Sequence, residues 1–251
     1  MTLGSFDAYT LRARVFPALI AIAPIIVAIA AIVPWDRISW IHGLAASAVP
    51  ILLWVAADTA RQLGRKLEVR LFERWGGKPT TVMMRHSSNM LIDTASKAQN
   101  LEFLGRQIAS LPPTAAQEAA DPAGADSFYE RCGNWLREHT RDTKKFALLF
   151  AENITYGYRR NLFALKPVAL IADCFLIVIS LAAWVAYRPS LDSEAATRLL
   201  IIGGIAVGHI LLLLTTATES AVQDASHGYA RQLFLSCETL RTPTTARASR
   251  K

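Results

Sequence analysis

Three ionisable side chains, His42, Asp173 and His209, lie inside stretches of sequence that are otherwise almost free of charge. A carboxylate or an imidazole in hydrocarbon is costly unless it faces a neighbouring helix or a water path. At 1.5 Å rise per residue, Asp173 sits about 9 Å into an apolar segment that begins at Pro167, and His209 sits about 12 Å from the end of the next one, at Ala217. Antiparallel packing of the two segments would bring both side chains to one depth. Two chemistries are open to such a pair: a hydrogen bond that locks two helices, or a protonatable lining of a pore. His42 stands near the outer end of another apolar segment, where it meets headgroups.

A second set of residues points to anions. Gly76-Gly77-Lys78-Pro79-Thr80-Thr81 reads first as a helix stop followed by a turn. It also reads as an anion-binding loop, in which backbone N–H groups join Lys78, Arg85 and His86 as donors. Arg159 and Arg160 close a polar cluster, Glu152-Asn153-Ile154-Thr155-Tyr156-Gly157-Tyr158-Arg159-Arg160-Asn161, just before an apolar run. Guanidinium groups suit planar contacts with phosphate, although arginines in this position also anchor a helix to lipid headgroups. Enzymatic signatures are missing: there is no Walker loop, GxSxG, HExxH or paired Cys/His set. Cys132, Cys174 and Cys237 are too far apart for a CxxC site, so no metal and no cofactor is expected. Lipid chemistry by Glu152, Asp142 or His139 is the least supported reading, because their spacing forms no recognisable acid/base pair.

The elements that must position these residues are mainly apolar. Of 251 residues 52% are hydrophobic and 19% charged, and the charges avoid four windows, 15–33, 41–57, 167–186 and 199–216. Each window is long enough to cross the hydrocarbon core as a helix. The links 34–40 and 187–194 are short, and the first carries Trp35 and Trp40, residues favoured at a membrane interface. The expected fold is therefore an all-α membrane protein, with two transmembrane helix hairpins flanking a cytoplasmic helical domain. The divisions are 1–57 (arm and hairpin 1), 58–166 (cytoplasmic helical domain), 167–217 (hairpin 2) and 218–251 (cytoplasmic helix and a disordered basic tail). Pro17 and Pro167 suit first helical turns, and Pro24 kinks the first span. Gly203, Gly204 and Gly208 form a small-residue stripe, first expected to pack within one subunit and alternatively to join subunits.

Within 58–166 the second membrane helix is expected to continue to Trp75. A helix follows over 91–110, then an exposed loop over 114–125, and then a helix capped by Asp126. The fourth membrane helix is expected to run on through Val222, Tyr229, Leu233 and Cys237. The stretches between paired windows, 34–40 and 187–198, hold only Arg37, Arg188 and Arg198 of the 27 Lys and Arg. Positive residues stay inside, so both termini and the central segment are placed in the cytoplasm.

This layout resembles bacterial four-transmembrane proteins similar in architecture to the membrane effectors of CBASS-like antiphage systems. Two segments look like family signatures, Trp75-Gly76-Gly77-Lys78-Pro79-Thr80-Thr81 and the cluster 152–161. The resemblance spans the whole chain as architecture and carries over no functional residue. It implies an oligomeric effector or channel-like protein that receives a cytoplasmic ligand, a nucleotide or other anion, and then alters membrane integrity or ion permeability. The partners expected are the lipid bilayer, further copies of the chain and a cytoplasmic partner protein. The alternative is a membrane scaffold that docks such a partner.

Overall fold

The N-terminal apolar window folds as one helix, α1 (Ala8–Ile32), that spans Pro17 and Pro24. A wide π-type turn at Leu11–Val15, in which the Phe16 N–H reaches back to the Leu11 carbonyl, leads into it. The computed structural model describes residues 8–33, 41–88 and 92–242, and the side chains of all of these except 41–50. The first hairpin link, Leu91, the basic tail beyond 242 and the side chain of His42 lie outside that description. Eight further helices follow among the described residues: α2 (Ile41–Arg74), α3 (Pro79–Met84), α4 (Thr94–Gln107), α5 (Ala115–Ala120), α6 (Pro122–His139), α7 (Ala147–Tyr187), α8 (Glu194–Thr216) and α9 (Glu219–Arg241). No strand occurs among the described residues.

Helices α1, α7 and α8 are long and apolar enough to cross a membrane. At 41 residues α7 is about 60 Å long, twice the hydrocarbon thickness. The chain separates into two compact units, one of Met1–Glu68 with Gly157–Val222 and one of Val69–Tyr156 with Gln223–Lys251. The boundaries fall inside α2, α7 and α9, so each of these helices contributes to both units.

The first unit is apolar outside and small or polar inside. Ile51, Leu52, Phe175, Leu181 and Leu211 are exposed, whereas Ala18, Ala21, Ala60, Ala169 and Ala206 are buried with Asp173, Ser180 and His209. Small buried side chains let helices approach closely, and large apolar ones face outward, the reverse of a water-soluble core. Gly64 and Gly157 are the closest approaches. A Cβ at Gly64 would lie 2.0 Å from Asn161 Oδ1, and one at Gly157 would lie 2.9 Å from Ala13 Cβ. In α8, Gly203 faces Ser180, but a Cβ at Gly204 or Gly208 would meet nothing, so these two glycines do not serve packing within the subunit.

The second unit has an ordinary core, in which Met84, Leu101, Leu104, Tyr129, Leu136 and Phe234 are buried together. Helix α2 ends in a Schellman turn: Gly76 takes a left-handed conformation and the Gly77 N–H reaches the Phe72 carbonyl at 2.8 Å. Pro79 then starts α3. Segment 114–125 is not the loop its Ala-rich sequence suggests. Thr114 and Gln117 form a reciprocal capping box that starts α5, and Asp121 caps α6 with Pro122 in its first turn. Asp126 therefore lies inside α6 and caps nothing. Two further expectations change. Pro167 is interior to α7 rather than at a helix start, because the preceding segment is itself helical. The continuation of α8 is interrupted at Ala217, whose backbone leaves the helical region, and Thr218 accepts from the Ala221 N–H to begin α9.

The tight seat of Asn161 over Gly64 predicts a coupled pair. Gly64→Ala will lower stability in detergent by about 1–3 kcal/mol, the usual cost of overpacking. In an Asn161→Ala background the same change will cost less, with a coupling of about 0.5–3 kcal/mol between contacting residues. A double-mutant cycle by thermal denaturation checks this, and additive effects would refute the contact.

Candidate functional site

In the apolar unit Asp173 on α7 and His209 on α8 meet. His209 Nδ1 lies 2.8 Å from Asp173 Oδ2, and both residues are buried, at 7% and 1% exposure. The contact of Gly203 with Ser180 sets the register: 173 faces 209 and 180 faces 203, so α7 and α8 run antiparallel. The pair is incompletely satisfied, since Asp173 Oδ1 and His209 Nε2 are buried without a hydrogen-bond partner.

Arg160 and Asn161 belong to a second network in the same unit. Pro17 has no N–H to give the Ala13 carbonyl four residues earlier, and Asn161 Nδ2 donates to that carbonyl at 2.6 Å instead. Arg160 donates from Nε to Asn161 Oδ1 and pairs through Nη1 with Glu68 at 3.1 Å. Arg159 and the unforeseen Lys166 close the end of α8, donating to the Thr216 carbonyl at 3.3 Å and the Ala217 carbonyl at 2.9 Å. Cations on the last carbonyls of a helix complement its dipole.

In the second unit Arg85 and His86 line an open cleft of about 570 Å³ with Ser87, Glu118, Pro122 and Asp126. Arg85 follows the short α3, and its guanidinium donates to both oxygens of Asp126, at 2.7 and 2.6 Å, and to the Gly76 carbonyl. The Asp126 carboxylate raises the Arg85 pKa against the opposing effect of burial. His86 Nε2 lies 2.8 Å from the Pro113 carbonyl. Lys78, of the same expected set, forms its ion pair with Glu130 at 3.0 Å and does not line the cleft. Arg159 and Arg160 fall in the other unit. The proposed anion donors are thus divided, and Arg85 already holds a carboxylate.

Sequence reasoning missed Glu118 and Lys97. Glu118, buried on α5, accepts from the backbone N–H groups of His86 and Ser87 and from the Tyr129 hydroxyl at 2.6 Å. Burial alone would raise its pKa. The Tyr129 hydroxyl and the two backbone donors outweigh burial and hold the carboxyl below its ordinary range. Burial and the neighbouring Glu118 push the Tyr129 phenol up. Lys97 donates to the Arg85 carbonyl, and burial lowers its pKa while Glu118 opposes that shift. These contacts fasten 85–87 at the cleft wall. The only available sequence signal was the Thr114–Gln117 capping box, which places Glu118 on a helix.

The three side chains considered for lipid chemistry are dispersed. Asp142 accepts from the Lys144 and Lys145 N–H groups ahead of α7, and those bonds hold its carboxyl low. His139 stacks on Trp135, and a Glu152 oxygen lies 2.7 Å from the Cβ position of Gly228. Burial pushes the Cys132 and Cys237 thiols up to about 12, so both stay protonated at neutral pH. No cluster of three or more His, Cys, Asp or Glu capable of holding a metal occurs among the described residues. No protein-family model, curated protein or solved structure matches the chain.

The Glu118 network sets an acid limit on stability. A carboxyl with a depressed folded pKa stabilises fully above its unfolded value, near 4.5, and that contribution is lost as pH falls through the lower folded value. Tyr129→Phe will cost about 1.5–3 kcal/mol at pH 7, as expected for a hydrogen bond to a charged group. It will also shrink the stability lost on acidification. Denaturation curves of both proteins at pH 7 and pH 3 check this, and an identical acid loss in the two would refute it.

Proposed function

We propose that this chain is an oligomeric, multi-pass effector of the bacterial inner membrane. A cytoplasmic ligand or partner signal would be received by its basic helical unit and turned into a change of membrane integrity or ion permeability, in antiphage defence. The observation that carries this reading is the placement of the unit boundaries inside α2, α7 and α9. Stiff helices shared by a lipid-facing unit and a water-soluble one are suited to carry a rearrangement from one to the other. In this reading the apolar window 41–57 within α2 is a fourth span, and the shortage of Lys and Arg in the hairpin links supports cytoplasmic termini. The cleft at Arg85 and His86 is the receiving site in this reading, for a nucleotide or another anionic ligand that competes with Asp126 for the guanidinium.

The oligomer is built in this reading on the outer face of α8. Gly204 and Gly208 open onto free space one turn apart, flanked by exposed Ile201, Ile205 and Leu211. Small residues at this spacing allow two helices to approach within lipid. Since neither glycine touches its own subunit, Gly204→Ile with Gly208→Ile will leave the monomer folded and reduce the oligomer. Native mass spectrometry from detergent reads the subunit number, and an unchanged number would sink this interface.

The function is tested with purified protein in liposomes of bacterial lipid loaded with a fluorescent dye. A panel of cyclic di- and trinucleotides is added, with Arg85→Lys as the comparison. Dye release by at least one nucleotide, weakened at least tenfold in sensitivity by Arg85→Lys, is expected. Silence of the wild-type protein to every nucleotide, combined with a stoichiometric protein partner from native membranes, would replace the effector by the scaffold reading.

A further inference from the structure

We propose that the Asp173–His209 pair is a proton-binding site, which holds one exchangeable proton inside the apolar unit. The proposal rests on the membrane reading given above but needs neither a nucleotide nor a pore. A neutral imidazole beside a carboxylate carries a net charge of minus one. One added proton makes the pair neutral, whether it stays on the ring or moves to the carboxyl. Surrounded by hydrocarbon, an uncompensated charge is far more costly than a neutral pair.

Among the described residues no cationic side chain is bonded to the pair. Helix α1 has no titratable side chain from Phe16 to Ile32, and α8 has none besides His209 between Arg198 and Glu219. On α7 the nearest groups are Lys166, engaged with the Ala217 carbonyl, and Cys174, which is exposed. On α2, Asp58 accepts from Gln62, and the cation Arg61, whose Nε is buried without a hydrogen-bond partner, is not bonded to the pair. A proton from water neutralises the pair with no other bond made or broken.

The two open atoms are the second observation. With a protonated ring, Nδ1 donates to Asp173 and Nε2 becomes a donor without an acceptor. Helix α1 packs against α8, and none of its carbonyls lies within hydrogen-bond distance of Nε2. The Asp173 carboxyl lies about 9 Å from Pro167 at the inner end of the span, within reach of a few waters.

The test is solid-state NMR of the full chain in lipid bilayers at pH 7. It reads the ring nitrogens of His209 and the carboxyl carbon of Asp173, and identifies His209 by its through-space coupling to that carbon, so no variant is required. A doubly protonated ring, or a protonated carboxyl beside a neutral ring, is expected. A singly protonated ring beside an ionised carboxylate overturns the proposal. With Asp173→Asn the pair no longer needs the extra proton, and His209 is expected to be singly protonated at pH 7; a doubly protonated ring there also overturns it. Dye release is measured separately, so a chain that holds the proton but never leaks refutes the effector and leaves the site standing.

Discussion

Pro17 has no N–H to offer the carbonyl of Ala13 four residues earlier, and Asn161 donates to that carbonyl from another helix. Around that single bond much of the first unit is arranged. Gly64 leaves the space in which the Asn161 side chain sits, Arg160 donates to the same amide oxygen, and Glu68 neutralises Arg160. Losing the donor would strand a buried carbonyl at about 1–3 kcal/mol. Where water is absent every backbone vacancy must be closed by a side chain of the protein itself, and the positions of proline then dictate where polar side chains are placed.

The two units obey opposite rules. In the second, Leu, Met, Phe and Tyr are hidden, and ions such as Arg85 and Asp126 stand at the rim of a cleft. In the first, many alanines, Gly64, Gly157 and polar groups such as Asp173, Ser180 and His209 are hidden, and most of the leucines and isoleucines of the spans are displayed. Cations are used at the ends of the apolar helices as caps: Arg159 and Lys166 hold the last carbonyls of α8, where the chain breaks before α9. This role needs neither lipid nor ligand to account for the two residues.

Three of the four apolar windows and the meeting of Asp173 with His209 were legible in the sequence, because hydropathy and a helical rise of fixed length place both groups at one depth. Capping chemistry was less legible. Thr114, Gln117 and Asp121 start two helices in a stretch whose alanines and Pro122 suggested a loop, and Asp126, expected as a cap, instead chelates Arg85. Partnership between distant residues was not legible at all. Nothing in the spacing of Glu118 from His86, or of Lys166 from Ala217, reveals that they meet. Spacing also gave no sign that Lys78 and Arg85 each pair with a carboxylate of α6, Glu130 and Asp126.

The inverted packing of the first unit has an evolutionary corollary. Large side chains on its outward face touch little of the protein, so packing leaves leucine, isoleucine, valine and phenylalanine interchangeable there, and relatives can drift at those positions. Gly64 and Gly157 have no such liberty, because an added methyl group collides with a neighbouring helix or its polar bond. In this chain the plainest, smallest residues are the ones that natural variation has least room to alter.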